Sequence, residues 1–260
     1  MGITKGLRKN VSRFGATTTI IHGEYGVGKT LLAAQYPKPY FLMCENNDAY
    51  SHKLYHDNVT TWAECVEKTL DFIKGDHDFT TFVIDGLDSF YNLAAEQYVK
   101  EYNENLTGDK KALTVITDNF GKECIPLNNI ITDLLRNIDM NPKYNLVLLA
   151  HSEERPIKTF TGDTYDKIVP QLPNKKSREY FFKLAQEIYY YFYVGDERYL
   201  KIIGDDLILA KNRGGNEHFR TANNNPIVNI PMPESPEKAY KYLIAAYNNK
   251  LKSDYKNINN

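Results

Sequence analysis

The sequence is poor in cysteine and tryptophan and carries almost no net charge. Its 3 cysteines in 260 residues (Cys44, Cys65 and Cys124) are widely spaced and odd in number, which argues against a disulfide framework. A formal charge of −1 excludes a protein that coats nucleic acid by bulk positive charge, but not one with a local basic patch. No apolar run approaches the ~20 residues needed to cross a bilayer, and residues 1–15 are basic and polar without a signal-peptide core. No membrane partner is therefore expected, and the expected compartment is the cytoplasm. No internal repeat and no long low-complexity linker is present. What is present, 42% hydrophobic and 25% charged residues, suits a globular protein with room for one large domain or two small ones.

The first half alternates strands with helices. Thr17–His22 is β-branched and apolar and reads as a buried strand, followed by a glycine-rich turn and a short helix over Lys29–Gln35 stopped by Pro37. Tyr40–Cys44, Thr81–Asp85 and Asn145–Ala150 read as further strands. Thr61 and Glu64 have capping-box spacing and open a helix to about Lys74, with Trp62, Cys65, Val66, Leu70 and Ile73 as its buried stripe. A helix over Ser89–Tyr102 is expected to be capped by Asp88 or Ser89. Another begins near Pro126, with Leu127, Ile130, Ile131, Leu134, Leu135 and Ile138 on one face. Such alternation predicts a mainly parallel sheet flanked by helices. After about residue 187, Ile188–Val194, Tyr199–Ile203 and Leu207–Lys211 are joined too tightly for crossovers and predict an antiparallel meander. Ser235 and Pro236 open a last helix. The expected division is a basic segment 1–16, an α/β core 17–230, and a helix with a polar tail over 231–260.

Gly23-Glu24-Tyr25-Gly26-Val27-Gly28-Lys29-Thr30 matches G-x-x-x-x-G-K-[ST], a pattern met by accident in roughly one chain of this length in a hundred. Glycines let the loop wrap phosphate oxygens with backbone N–H groups, so Gly23 through Leu31 is the expected nucleotide cradle. Lys29 would reach the β/γ-phosphates of ATP and Thr30 would ligate Mg²⁺. Asp85, closing a strand, is the expected second acid of the Mg²⁺ site. Residue 86 is glycine, so no Asp-Glu pair supplies a base there; Glu45, directly after the second strand, is placed to polarise a water instead. His151, at the tip of the fourth strand, is a candidate sensor of the γ-phosphate. Lys211 and Arg213 lie two apart on an extended stretch and can clamp a phosphate of a neighbouring subunit. His52 and His56, without a close cysteine pair, do not make a structural zinc set.

Together, Gly23–Thr30, Glu45, Asp85, His151 and Lys211-Asn212-Arg213 before a glycine turn resemble the RecA-type P-loop ATPase core. The Lys-Asn-Arg-Gly segment also resembles DnaB-type replicative helicases. The chain as a whole is most similar to phage P-loop proteins regarded as minimal RecA-like recombinases or single-strand annealing ATPases, over about residues 15–215. Gly86 departs from the serine common in that family. The resemblance implies a RecA-like α/β core that binds and hydrolyses ATP. It also implies ATP-linked assembly into a ring or filament, single-stranded DNA as a partner, and a single-strand binding protein as a further one. It places DNA contacts in the loops after the third and fourth strands, here about Glu104–Glu123 and Ser152–Lys176. Lys110 and Lys111 lie in the first; Lys175, Lys176 and Arg178 follow the second, beside Tyr180, Phe181 and Phe182, two of which are expected to be buried. From Lys167 to Lys183 the local balance is +4 (Lys167, Lys175, Lys176, Arg178 and Lys183 against Glu179). Two other readings share the P-loop: a helicase-loader or clamp ATPase acting on a protein, and a small-molecule kinase, which needs an arginine-bearing lid.

Overall fold

The β-branched run after residue 17 forms strand β1 (Thr18–Gly23), whose six residues are all buried. The structure is a computed structural model that describes residues 17–45, 54–108, 112–116, 123–159, 161–213 and 217–251. Beyond β1 it contains α1 (Lys29–Ala33), β2 (Pro39–Met43), β3 (His56–Asn58), α2 (Trp62–Lys74), β4 (Thr81–Asp85), α3 (Leu87–Glu104) and α4 (Cys124–Asp139). Then follow β5 (Asn145–Lys158), β6 (Thr164–Pro170), α5 (Lys175–Leu184), β7 (Glu187–Val194), β8 (Glu197–Lys201), β9 (Asn229–Pro231) and α6 (Ala239–Tyr247).

The strands form one sheet in the order β3-β2-β4-β5-β1-β7-β8-β9, with β6 paired to β5 alone. Every pairing from β3 to β7 is parallel, and β7–β8–β9 is antiparallel. Helices cover both faces. Successive residues of β1 point to opposite sides: Ile20 joins a core layer with residues of α2, α3, α4 and α5, and Ile21 a layer with those of α1 and α6. This is the expected α/β architecture, a P-loop NTPase core with antiparallel strands at its C-terminal side. Among the described residues no helix is long and apolar enough to cross a membrane.

The local signals that held are those with short-range chemistry. Thr61 Oγ1 accepts from the Glu64 N–H while Glu64 reaches back to the Thr61 N–H, the predicted capping box. On α4, Leu127, Ile131, Leu135 and Ile138 are buried, but Ile130 is exposed. On α2, Leu70 is also exposed, and Thr69 and Phe72 are buried in its stead.

Four expectations need correction. Leu207–Lys211 is not a third strand of the meander. It meets the sheet at the isolated bridges Ile168–Ile208 and Ile188–Lys211 and through the hydrogen bond from His22 to the Leu209 carbonyl, while β9 takes the place beside β8. The stretch after Ala150 is not a loop, because β5 continues to Lys158 and pairs with β6 from Ser152–Pro170 to Lys158–Thr164, making a two-stranded ribbon. The expected side-chain cap on α3 is absent: Gly86 is the N-cap and Asp88 lies inside the first turn. Finally, α6 is entered through a 3₁₀ turn over Pro236–Lys238 rather than directly at Ser235.

Candidate nucleotide site

All parallel strands deliver their C-terminal ends to one edge of the sheet, and the predicted phosphate loop sits there, between β1 and α1. Two glycines are required by geometry. A side chain at Gly23 would place its Cβ 2.1 Å from the Tyr191 carbonyl oxygen of β7. Gly28, the N-cap of α1, has φ 102°, a left-handed conformation that disfavours other residues. Val27 turns inward into the core beside Leu32 and Tyr191, which anchors the loop, while Glu24, Tyr25 and Gly26 form its exposed arc.

Lys29 is buried at the centre, its ammonium donating to the carbonyls of Gly23 (3.0 Å) and Glu24 (2.8 Å) and lying 3.4 Å from His151 Nδ1. Burial pulls its pKa down, opposed by the carboxylates of Asp85, Glu45, Asp88 and Glu24. Thr30 Oγ1 donates to Asp85 Oδ2 at 2.7 Å, so the two expected metal-site residues already face each other. Glu45 follows β2, and its Oε1 lies 3.7 Å from His151 Nε2. Burial and the neighbouring Lys29 charge lower the His151 pKa, partly offset by Asp88, so the imidazole is neutral near pH 7. An ammonium can only donate, so Nδ1 accepts from Lys29 and the ring proton sits on Nε2, toward Glu45. Tyr25 stacks on the imidazole with ring centroids 3.7 Å apart, although the tyrosine itself is exposed.

Sequence reasoning missed two residues. A Cβ on Gly86 would fall 2.5 Å from Glu45 Oε1 and 3.0 Å from Asp88 Oδ1, so the glycine is what lets two carboxylates close over the backbone beside Asp85. Asp88 Oδ1 is buried and has no hydrogen-bond partner among the described residues. The signal was present in the unusual Gly86, but an aspartate ahead of a helix reads as a cap. The second is His22, fully buried, with Nε2 donating to the Leu209 carbonyl (2.8 Å) and Nδ1 against Ser152 Oγ (2.9 Å). Burial lowers its pKa to about 4. It ties the strand that enters the phosphate loop to the base of the β5–β6 ribbon.

The residues present fit a divalent cation with a polyphosphate. Three carboxylates (Glu45, Asp85 and Asp88) surround one buried lysine, so an anion would be repelled unless a cation came with it. A hydroxyl and one carboxylate, completed by phosphate oxygens, is the donor set magnesium accepts. Among the described residues no His, Cys, Asp and Glu group of three or more is arranged to hold a metal by protein ligands alone.

Other predicted site residues lie elsewhere. Lys211 pairs with Ile188 and Arg213 N donates to Glu187 Oε1 at 3.2 Å; both sit at the opposite edge of the sheet, where β7 begins. Within one chain they do not approach the phosphate loop. The Lys211 ammonium donates to the Phe182 carbonyl, whereas Arg213 is exposed. The basic cluster is paired internally. Lys175 and Lys176 meet Glu179, Lys167 donates to the Asp205 carbonyl, and Arg178 is shared between Glu153 and the Leu172 carbonyl. Phe181 is buried while Tyr180 and Phe182 are both half-buried, so one of the three rather than the expected two is buried. Lys110, Lys111 and the basic segment 1–16 lie outside the described residues.

No curated protein matches the chain. A family model described as an AAA domain (AAA_24) matches residues 16–214, which contain the phosphate loop, Glu45, Asp85, Asp88 and His151. That match covers more than half of the 260 residues, and the chain belongs to this AAA-domain family of P-loop ATPases.

Proposed function

We propose that the protein hydrolyses ATP with Mg²⁺ and uses the nucleotide state to control self-association and single-stranded DNA binding, in recombination, annealing or replication. One observation carries the catalytic part: the Lys29 ammonium lies 3.4 Å from His151 Nδ1 and Glu45 Oε1 lies 3.7 Å from His151 Nε2, where β5 leaves the sheet and becomes the ribbon. Lys29 turns from its carbonyl partners to the β/γ-phosphate oxygens. The Glu45 carboxylate orients a water and takes its proton as the water oxygen bonds to the γ-phosphorus and the β–γ bridging bond breaks. A divalent cation on Thr30 and Asp85 supplies charge neutralisation of the phosphates. His151, touching both Lys29 and Glu45, responds to the γ-phosphate and passes the change into the ribbon. Arg213 reaches a neighbouring subunit's phosphates in trans.

Support for DNA as the effector comes from the RecA-type resemblance. A second reading, a clamp or loader ATPase acting on a protein, is favoured by the ribbon's charge. Glu153, Glu154, Asp163 and Asp166 nearly balance Arg155, Lys158 and Lys167, which suits a protein surface better than a phosphate backbone. ATP hydrolysis with and without single-stranded DNA across a salt series separates the two. Salt-sensitive stimulation is expected; no stimulation and no salt-sensitive DNA binding would leave the protein-directed reading.

A further inference from the structure

His22 is fully buried and has no part in the chemistry proposed above, yet both of its ring nitrogens are committed to other segments. A carbonyl only accepts, so Nε2 carries the proton toward Leu209. Nδ1 is then an acceptor, and the Ser152 hydroxyl donates to it. Burial keeps the ring neutral and this pattern fixed. One imidazole thus clamps three segments together: β1 one residue before the phosphate loop, β5 one residue past His151, and the strap Leu207–Lys211. Backbone hydrogen bonds at alternate residues hold the strap. The Ile168 N–H of β6 donates to the Leu207 carbonyl (2.8 Å), and the Leu209 N–H donates to the Ile168 carbonyl (2.9 Å). Lys211 exchanges two bonds of 2.8 Å with Ile188 of β7. Leu209 therefore has its N–H on the ribbon and its carbonyl on the strand that enters the phosphate loop. Arg213 follows four residues later, about 13 Å along an extended chain, with its N–H on Glu187.

The chain neighbours of the clamp share a further partner. Gly23, which follows His22, and His151, which precedes Ser152, face each other in the β1–β5 ladder. Lys29 donates to the Gly23 carbonyl at 3.0 Å and lies 3.4 Å from His151 Nδ1. When Lys29 turns to a phosphate, Gly23 and His151 lose it together, so the event reaches the imidazole from both strands at once. A ligand moves an element only through contacts that differ between its two states, and these two Lys29 contacts are such a difference.

We propose that His22 is a positioning residue that carries the nucleotide state of the phosphate loop into the strap Leu207–Lys211, and through it to Arg213. The proposal rests on the reading of the phosphate loop as an ATP site. Its test is hydrogen exchange of the full chain with and without a non-hydrolysable ATP analogue and Mg²⁺, read at the Leu209 and Lys211 amides, beside calorimetric affinity for the analogue. In wild type both amides are expected to exchange about fivefold faster with the analogue bound, the worth of one neutral hydrogen bond. His22→Gln places an amide N–H about where Nε2 stood and is expected to keep that response. His22→Asn is too short to reach Leu209 and is expected to lose it, with affinity for the analogue retained. Ser152→Ala cuts only the β5 side of the clamp and is expected to lose about half of the response. Ser152 is half-buried, so this variant decides the matter should His22→Asn not fold. A wild-type chain that binds the analogue without change at Leu209 and Lys211, as a purely structural His22 would give, overturns the proposal and leaves the phosphate-loop reading standing. So does the full response persisting in His22→Asn or Ser152→Ala. A wild-type chain that binds no nucleotide overturns both.

Discussion

The two edges of the sheet each hold buried charge, and they treat it differently. At the C-terminal edge, Glu45, Asp85 and Asp88 crowd around Lys29, and Asp88 Oδ1 has no hydrogen-bond partner among the described residues. At the N-terminal edge, Glu187 is a lone buried acid whose oxygens accept from the Arg213 N–H and the Tyr189 hydroxyl. One edge holds three carboxylates around a single described ammonium. The other holds a single acid with hydrogen bonds enough, pushed by burial to a pKa of about 7. An uncompensated cluster is costly to fold and implies a ligand, whereas a satisfied lone group is structure.

The sharpest way to break that contrast is at Lys29. Lys29→Ala removes the buried ammonium at the centre of the crowded edge, and nucleotide affinity is expected to fall more than about 100-fold by calorimetry. Next comes Glu45→Gln, which keeps the shape but not the base. Hydrolysis is expected to drop about 100- to 1,000-fold in a phosphate-release assay with ATP affinity retained, and unaffected turnover would remove Glu45 from its role. Chelation with EDTA is expected to weaken nucleotide binding more than about tenfold, because the carboxylates then face the phosphates directly. Asp88→Asn should shrink that penalty, and an unchanged penalty would show that Asp88 is outside the field of the site.

The smallest effect belongs to the quiet edge. Burial raises the Glu187 pKa above its ordinary value of 4.5, so its contribution to stability is full below about pH 4.5 and is lost as pH rises through about 7. Glu187→Gln is therefore expected to be more stable than wild type by about 1–2 kcal/mol at pH 8 in urea unfolding, with no gain at pH 4.5. His22 acts in the opposite sense. Its pKa is depressed to about 4, so its contribution is present above about pH 6.5 and is lost as pH falls. The two slopes oppose each other in wild type, and removing Glu187 should expose the acid sensitivity that His22 confers.

The site was legible where function demands a residue type at a fixed place along the chain. The loop, Thr30, Asp85, Glu45 and His151 are each marked by a strand end, and the parallel sheet gathers strand ends by construction. What stayed hidden depends on long-range packing. Asp88 and a cap look alike until Gly86 is seen to open space for it. His22 ends an apolar run and carries no sign that Leu209 and Ser152 will meet it. The ribbon was concealed because Ser152–Lys158 is charged and contains Pro156, so only its pairing with β6 makes it a strand. Leu207–Lys211 misled in the other direction: Leu209 packs on the core and Leu207 is exposed, and the segment meets the ladder only in isolated bridges.

The continuity of β5 has a mechanical consequence. Its 14 residues run from the middle of the core to the tip of the ribbon without interruption, with His151 at the point of exit. An extended strand has no soft joint, so this element behaves as a beam clamped at one end. The arm beyond Glu154, whose partner Ile168 is held by the bridge to Ile208, is about 13 Å long, and a tilt of about 5° at the clamp would carry its end about 1 Å. The beam turns a displacement too small to alter packing around the phosphates into one that a neighbouring molecule would feel.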